Sequence, residues 1–150
     1  MKYNGLKKDL NVFAKFAFIY ETEIKKLGNV NEFSKLSERS VMFFDEQIQK
    51  VTRYAKVKNN KWPKKQGITL IFTKEKVKIL DFCRHLRNSF VHAQLNKKGN
   101  QKLEILDKGR KGIVTAKGYL TYSSVKNFVI QIIEDYEKIE KDTKEQSNEN

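Results

Sequence analysis

An arginine, an asparagine and a histidine stand together in the run Arg87-Asn88-Ser89-Phe90-Val91-His92, at the end of an apolar-periodic stretch that begins at Val77. Arginine is permanently charged and offers five donors in a planar fork suited to phosphate, and histidine is the side chain whose unperturbed charge changes near neutral pH. Near one helix end these groups could bind a phosphodiester and move a proton on it, which is the chemistry of cleavage. Around a helix of 3.6 residues per turn Arg87 and His92 lie about 140° apart, whereas Asn88 and His92, at i and i+4, share a face. Arg87 then reaches in from the flank. Asp81, His85, Asn88 and His92 follow steps of 4, 3 and 4, which predicts one polar sector, and Arg84 extends it. Opposite them, Ile79, Phe82, Cys83, Leu86 and Phe90 predict a buried stripe. The same residues also fit a solvated helix end, because cations near a helix C-terminus complement its dipole.

In this helical setting the string resembles the HEPN superfamily. Its nuclease members carry an Arg, usually a polar residue next, and four to six intervening residues before a His, at the end of a long helix. Here Arg87 precedes Asn88, and His92 comes after four intervening residues. The resemblance covers roughly Leu6 to Ile139, with the motif as its specific part. A related HEPN class that acts with nucleotidyltransferase partners often has a Tyr two residues after the His; Gln94 stands there in this chain and sets it apart from that class.

The resemblance implies metal-independent endoribonucleolytic cleavage, in which the ribose 2′-hydroxyl attacks its own phosphodiester and leaves a 2′,3′-cyclic phosphate and a 5′-hydroxyl. His92 would be the general base or acid, Arg87 would stabilise the charge on the phosphorane, and Asn88 would orient His92 or the phosphate. One copy offers few acid–base groups, and resembling proteins dimerise with two motif helices meeting at a cleft, so a homodimer is expected. His85 is a second acid–base candidate, although its place before the motif favours a positioning or structural role. Small nucleases of this kind often act as toxins or in defence, with a neutralising antitoxin protein as a further partner. The alternative is a non-catalytic HEPN module that binds RNA or a partner, and a third reading is a helical scaffold whose charge serves solubility.

Charge supports a polyanionic partner. The 150 residues hold 31 Lys and Arg against 18 Asp and Glu, a formal charge of +13. Residues 134–150 alone carry seven acids and three lysines, so residues 1–133 carry +17. Such a field favours nucleic acid or an anionic surface. No apolar run approaches the roughly 20 residues that span a bilayer, and Met1 to Lys8 lacks the apolar core of a signal peptide. A cytoplasmic protein with no membrane partner is expected. The one cysteine, Cys83, cannot form an internal disulfide, and two histidines with it make a poor metal set, so no metal or other cofactor is expected. Cys83 falls on the apolar face and reads as a core thiol.

From Lys50 to Lys65 there are seven basic residues and no acid, with Tyr54 and Trp62 among them. This is either a soluble basic loop or a phosphate-tracking patch with aromatic faces for unstacked bases, suited to single-stranded RNA. The candidate nucleic-acid contacts are Arg53, Lys61, Trp62 and Lys64 here, Arg84 in the motif helix, and Lys97 and Arg110 beyond it.

Four helices are expected to carry these groups. Leu6, Leu10, Phe13, Ala17, Tyr20, Ile24 and Leu27 step 4-3-4-3-4-3, which predicts a first helix along a bundle seam, ended by Gly28-Asn29. Val12, Phe16 and Ile19 widen its apolar face toward more than one neighbour or a second subunit. A second helix, capped at Asn31 or Ser37, carries Phe33, Leu36, Phe44, Ile48, Val51 and Ala55 and ends near Val57. Ile68 to Phe72 is compatible with a strand or a helix lead-in. Thr73 is the expected cap of the motif helix, which runs to His92 or Ala93. Lys102 to Asp107 and Gly112 to Lys117 predict a basic β-hairpin beside His92. The last helix starts near Thr121 or Ser123 and carries Val125, Phe128, Val129, Ile132, Ile133, Tyr136 and Ile139. The fold class is therefore mainly α, a four-helix bundle with a small β-hairpin inserted between the last two helices. Residues 1–140 read as a single domain and 141–150 as a charged, disordered tail.

Overall fold

The computed structural model describes residues 5–54, 61–62, 68–109 and 111–148. The heptad-like run of the first segment forms α1 (Leu10–Thr22), with 3₁₀ turns at Lys7–Asp9 before it and Ile24–Lys26 after it. Asn29 caps α2 (Val30–Gln47), its side chain accepting the Glu32 N–H at 2.9 Å. Both expected cap positions, Asn31 and Ser37, therefore lie inside α2. Ser37 leaves helical geometry there (φ −157°, ψ 90°), and its hydroxyl takes the Ser40 N–H at 3.3 Å, so it restarts the helix as a cap would.

The bundle with one hairpin is overturned beyond this point. Helix α2 stops at Gln47, short of the expected end near Val57, and Val51, counted above among its apolar residues, opens the strand β1 (Val51–Tyr54). Ile68 to Phe72 resolves as extended chain, β2 (Leu70–Thr73), which pairs with β1 in parallel. Thr73 closes that strand instead of capping the motif helix α3 (Lys78–Val91), whose N-cap is Val77. Three further strands follow, β3 (Leu95–Lys98), β4 (Lys102–Lys108) and β5 (Val114–Thr121), before α4 (Tyr122–Asn148). The hairpin read from sequence exists as β4 and β5, but it is the centre of a five-stranded mixed sheet of order β1-β2-β5-β4-β3. Only the β1–β2 pair is parallel.

The physical reason is that β1, β2 and β3 are four residues each, too short to show a period-2 signature. Val51 and Ala55 also happen to continue the 3.6-residue step of the helix before them. What selects the extended form is pairing with distant chain: the Leu70 N–H donates to Lys50 O at 3.0 Å and the Lys74 N–H to Tyr54 O at 2.7 Å. No local pattern encodes a parallel pair, because its strands are joined by a crossover and not by a turn.

Helices and sheet share one core. Phe44, Phe82 and Phe128 bring α2, α3 and α4 together with ring centroids 5.3, 5.7 and 5.5 Å apart, and Phe13 stacks on Phe90 at 5.8 Å to join α1 to α3. Leu70, Phe72, Leu103, Ile105, Ala116 and Leu120 supply the sheet's share. Gly118 makes the β2–β5 contact feasible, since a Cβ there would lie 2.2 Å from the Thr69 carbonyl oxygen and its φ is +143°. Helix α4 continues through Asn148, exposed from Glu137 to Ser147.

Candidate active site

Helix α3 is enclosed on more sides than its pattern suggests. The stripe of Ile79, Phe82, Cys83, Leu86 and Phe90 is buried as expected, and burial pushes the Cys83 thiol well above its usual value, consistent with a core thiol. The polar sector is also covered, because the sheet closes over it: Asp81 and His85 are fully buried. Asp81 accepts the Arg53 guanidinium at 2.8 Å and the backbone N–H groups of Lys76 at 3.0 Å and Glu75 at 3.2 Å. It thereby holds the loop entering α3, and Arg53 also donates to the Lys76 carbonyl. A buried carboxylate needs this full set of donors.

One turn further on, the His85 ring lies 5.1 Å from Phe72 and is bonded at both nitrogens. Arg84 Nη2 is 3.2 Å from Nε2, and Asp107 Oδ2 of β4 is 2.8 Å from Nδ1. A guanidinium only donates, so Nε2 accepts and Nδ1 carries the proton that faces Asp107. The same Asp107 oxygen accepts Asn88 Nδ2 at 3.1 Å. Burial by itself would raise the Asp107 carboxyl, but the hydrogen bonds from His85 and Asn88 and the charge of Arg84 hold it below the usual carboxylate range.

Asn88 Oδ1 in turn accepts Arg87 Nη1 at 2.9 Å, and Arg87 Nη2 lies 3.2 Å from Glu21 Oε2 of α1. Glu21 is bonded to Lys25, and that bond, with the charge of Arg87, keeps its carboxyl low. The Arg87 guanidinium is thus clamped between α1 and its own helix. Tyr20, beside Glu21, is buried in this contact between helices, and burial pushes its phenol up to about 12.

His92 occupies the C-cap of α3, with its side chain exposed. The helix ends there in a Schellman turn: the Gln94 N–H reaches Ser89 O at 2.7 Å and the Ala93 N–H reaches Phe90 O at 3.0 Å. Ala93 takes the left-handed conformation (φ 56°) where glycine is usual. Gln94 locks the turn to β4 through its Oε1, which accepts the Lys108 N–H at 3.1 Å. The His92 backbone is therefore fixed, while its imidazole faces solvent.

The structure brings Arg87 and Asn88 into direct contact and sets His92 one turn beyond on a rigid cap. The Asn88 side-chain amide is bonded at both ends, to Asp107 through Nδ2 and to Arg87 through Oδ1. His85 is fully buried and bonded at both ring nitrogens. Of the expected nucleic-acid contacts, Arg53 and Arg84 are engaged with Asp81, Glu75 and His85, and Lys97 lies over the Tyr122 ring at 4.5 Å. Lys61 is exposed and Trp62 half-buried. Lys64 and Arg110 lie outside the described residues, as do Lys56, Lys58 and Lys65 of the basic run. Asp107 and Glu21 were not legible as site residues. Asp107 did leave a signal, a carboxylate at an inward position of a strand whose other inward residues are Leu103 and Ile105.

Among the described residues no three or more His, Cys, Asp or Glu side chains are grouped to hold a metal ion, and no helix is long and apolar enough to cross a membrane. No curated protein and no solved structure matches the chain. The family comparison does match, over residues 8–143, a span that holds all four helix cores, the sheet and every residue of the network around Arg87. The chain belongs to the HEPN pEK499 p136 family, which connects it in general to RNA-related, nuclease-type function.

Proposed function

We propose that this HEPN domain is an endoribonuclease that cuts RNA without a metal ion, leaving 2′,3′-cyclic phosphate and 5′-hydroxyl ends. The observation that carries this reading is the pairing of an anchored guanidinium, Arg87, with an exposed imidazole, His92, on a locked helix end. In the reaction the 2′-oxygen forms a bond to phosphorus as it loses its proton, and the bond from phosphorus to the 5′-oxygen breaks as that oxygen gains one. His92 serves one of these transfers, a role worth about 10² to 10⁴ in rate. Arg87 takes the charge that builds on the phosphorane oxygens, exchanging its contact with the half-exposed Glu21 for the phosphate.

The second transfer comes from a second copy. Phe16 and Ile19, expected on the outer face of α1, are buried in the chain's own core, so the homodimer we propose joins the α3 ends through a different part of α1, where Phe18 is 59% exposed and borders a groove of about 460 Å³ lined also by Ala14, Ile133 and Tyr136. RNA is held by the charge of residues 1–133. Single strands suit it, because the basic run interleaves aromatic residues whose faces can stack unpaired bases. A role as a cytoplasmic toxin or defence effector, neutralised by an antitoxin protein, is the biological setting this chemistry fits.

The test is incubation of the purified chain with RNA in EDTA, with Arg87→Ala and His92→Ala alongside. Neither side chain belongs to the apolar core, so both variants should keep the wild-type circular dichroism and lose little in melting temperature, while cleavage falls by about two or more orders of magnitude. Cleavage that EDTA abolishes, or that both variants retain, refutes the mechanism. RNA affinity without turnover would replace it with a non-catalytic binding module.

A further inference from the structure

Resting on that reading, we infer that Asp107 of β4 is the positioning residue for Arg87 and acts through Asn88. A primary amide next to an arginine has two orientations, related by a flip that exchanges its oxygen and nitrogen. Only one presents an acceptor to the guanidinium. Asp107 is acceptor-only when ionised, so it takes the Asn88 NH₂ at 3.1 Å and forces the Asn88 oxygen toward Arg87 Nη1 at 2.9 Å. Asp107 is itself held, because His85 donates Nδ1–H to the same Oδ2 at 2.8 Å, and Arg84 secures the His85 ring from its other nitrogen. The order of donors and acceptors is unbroken from Arg84 through His85, Asp107 and Asn88 to Arg87. Each of these groups is buried or half-buried, so water does not compete freely for the bonds.

The consequence is that a strand residue far from the motif in sequence sets the direction of the transition-state cation. Asp107 touches neither substrate nor His92 in this scheme. Its loss therefore acts on kcat and leaves KM nearly unchanged, and misplacement of a positioned group by about 1 Å costs on the order of 10²-fold. Asp107→Asn separates position from charge. The asparagine oxygen can accept from both His85 and Asn88, while its nitrogen takes the place of Oδ1, which carries none of these bonds.

The experiment is a double-mutant cycle on the full chain with a labelled single-stranded RNA, read as kcat and KM, together with side-chain NMR of the Arg87 Nε–Hε and Nη groups. Asp107→Ala should lower kcat by about 10- to 100-fold, Asp107→Asn should recover most of it, and Asp107→Ala should cost nothing further once Arg87 is Ala. In the NMR arm the restricted Arg87 guanidinium of the wild type should become freely rotating in Asp107→Ala and stay restricted in Asp107→Asn. Asn88→Ala, which spares the His85–Asp107 bond, should reproduce the Asp107→Ala spectrum and serves if that variant fails to fold. Multiplying effects of Asp107→Ala and Arg87→Ala, or an Arg87 guanidinium unchanged in both Asp107→Ala and Asn88→Ala, would overturn the inference. A wild-type chain that cuts no RNA would refute the nuclease reading alone, and the NMR arm would still decide the positioning role.

Discussion

Replacing Arg53 separates a structural cation from a nucleic-acid contact. Its position within the basic run makes it an RNA ligand on sequence grounds, yet its guanidinium sits 2.8 Å from Asp81, a carboxylate with no exposed surface. Truncating one partner of such a pair strands the other charge and costs about 3–5 kcal/mol. Two features pull the cost toward the lower bound. The Arg53 side chain keeps 19% exposure, and Asp81 retains the backbone N–H groups of Lys76 and Glu75. We expect about 3 kcal/mol for Arg53→Ala, which for a domain near this size lowers the melting temperature by about 6–12 °C. In an Asp81→Asn background no charge is stranded, and the same change should cost about 1 kcal/mol, the worth of an ordinary hydrogen bond. Thermal and urea melts followed by circular dichroism measure both arms, with RNA affinity measured well below the lower melting point. A variant that melts with the wild type but binds RNA more weakly would refute the structural assignment and return Arg53 to the binding face. Equal costs in the two backgrounds would refute the stranded-charge argument.

Ala93→Gly should stabilise the chain by about 0.5–1 kcal/mol, because glycine relieves a left-handed strain of about 1–2 kcal/mol and gives part of it back as unfolded-state entropy; a lower urea midpoint would show that the Schellman turn holding His92 is not strained at Ala93. Phe18→Ser should convert a two-copy sedimenting species into one copy at micromolar concentration without lowering the melting temperature of the fold, and a wild-type chain that is monomeric while cleaving RNA fully would defeat the shared-site proposal.

The placement of the candidate groups was legible in the chain because it is local. Arg87, Asn88 and His92 fall within two turns of one helix, and helical periodicity alone places them at its end and buries Phe82, Leu86 and Phe90 opposite. The aromatic stripes of α1, α2 and α4 were readable for the same reason, as were β4 and β5, whose alternation is long and whose turn is short. The sheet was not readable. Strands β1, β2 and β3 depend on partners brought from elsewhere, and Val51 in β1 stands at a spacing that imitates the helix before it. The intramolecular partners of the charged groups were not readable for a related reason. Arg53, Arg84 and Lys97 carry the composition of an RNA-binding surface, but where each points depends on Asp81, Glu75, His85 and the Tyr122 ring.

The sequence by itself therefore determined which groups could do chemistry, that they end a helix, and that the molecule presents strong positive charge. Tertiary structure alone decided that the polar sector of α3 lies under a mixed sheet, that Glu21 meets Arg87, and that the Asn88 amide bonds to Asp107 on one side and Arg87 on the other. The physical reason is range. Helix periodicity and capping act over a few residues and are written in order along the chain. Hydrogen bonds such as His85 to Asp107 or Arg53 to Asp81 span 22 and 28 residues, and they form only where the core has already brought the two elements together.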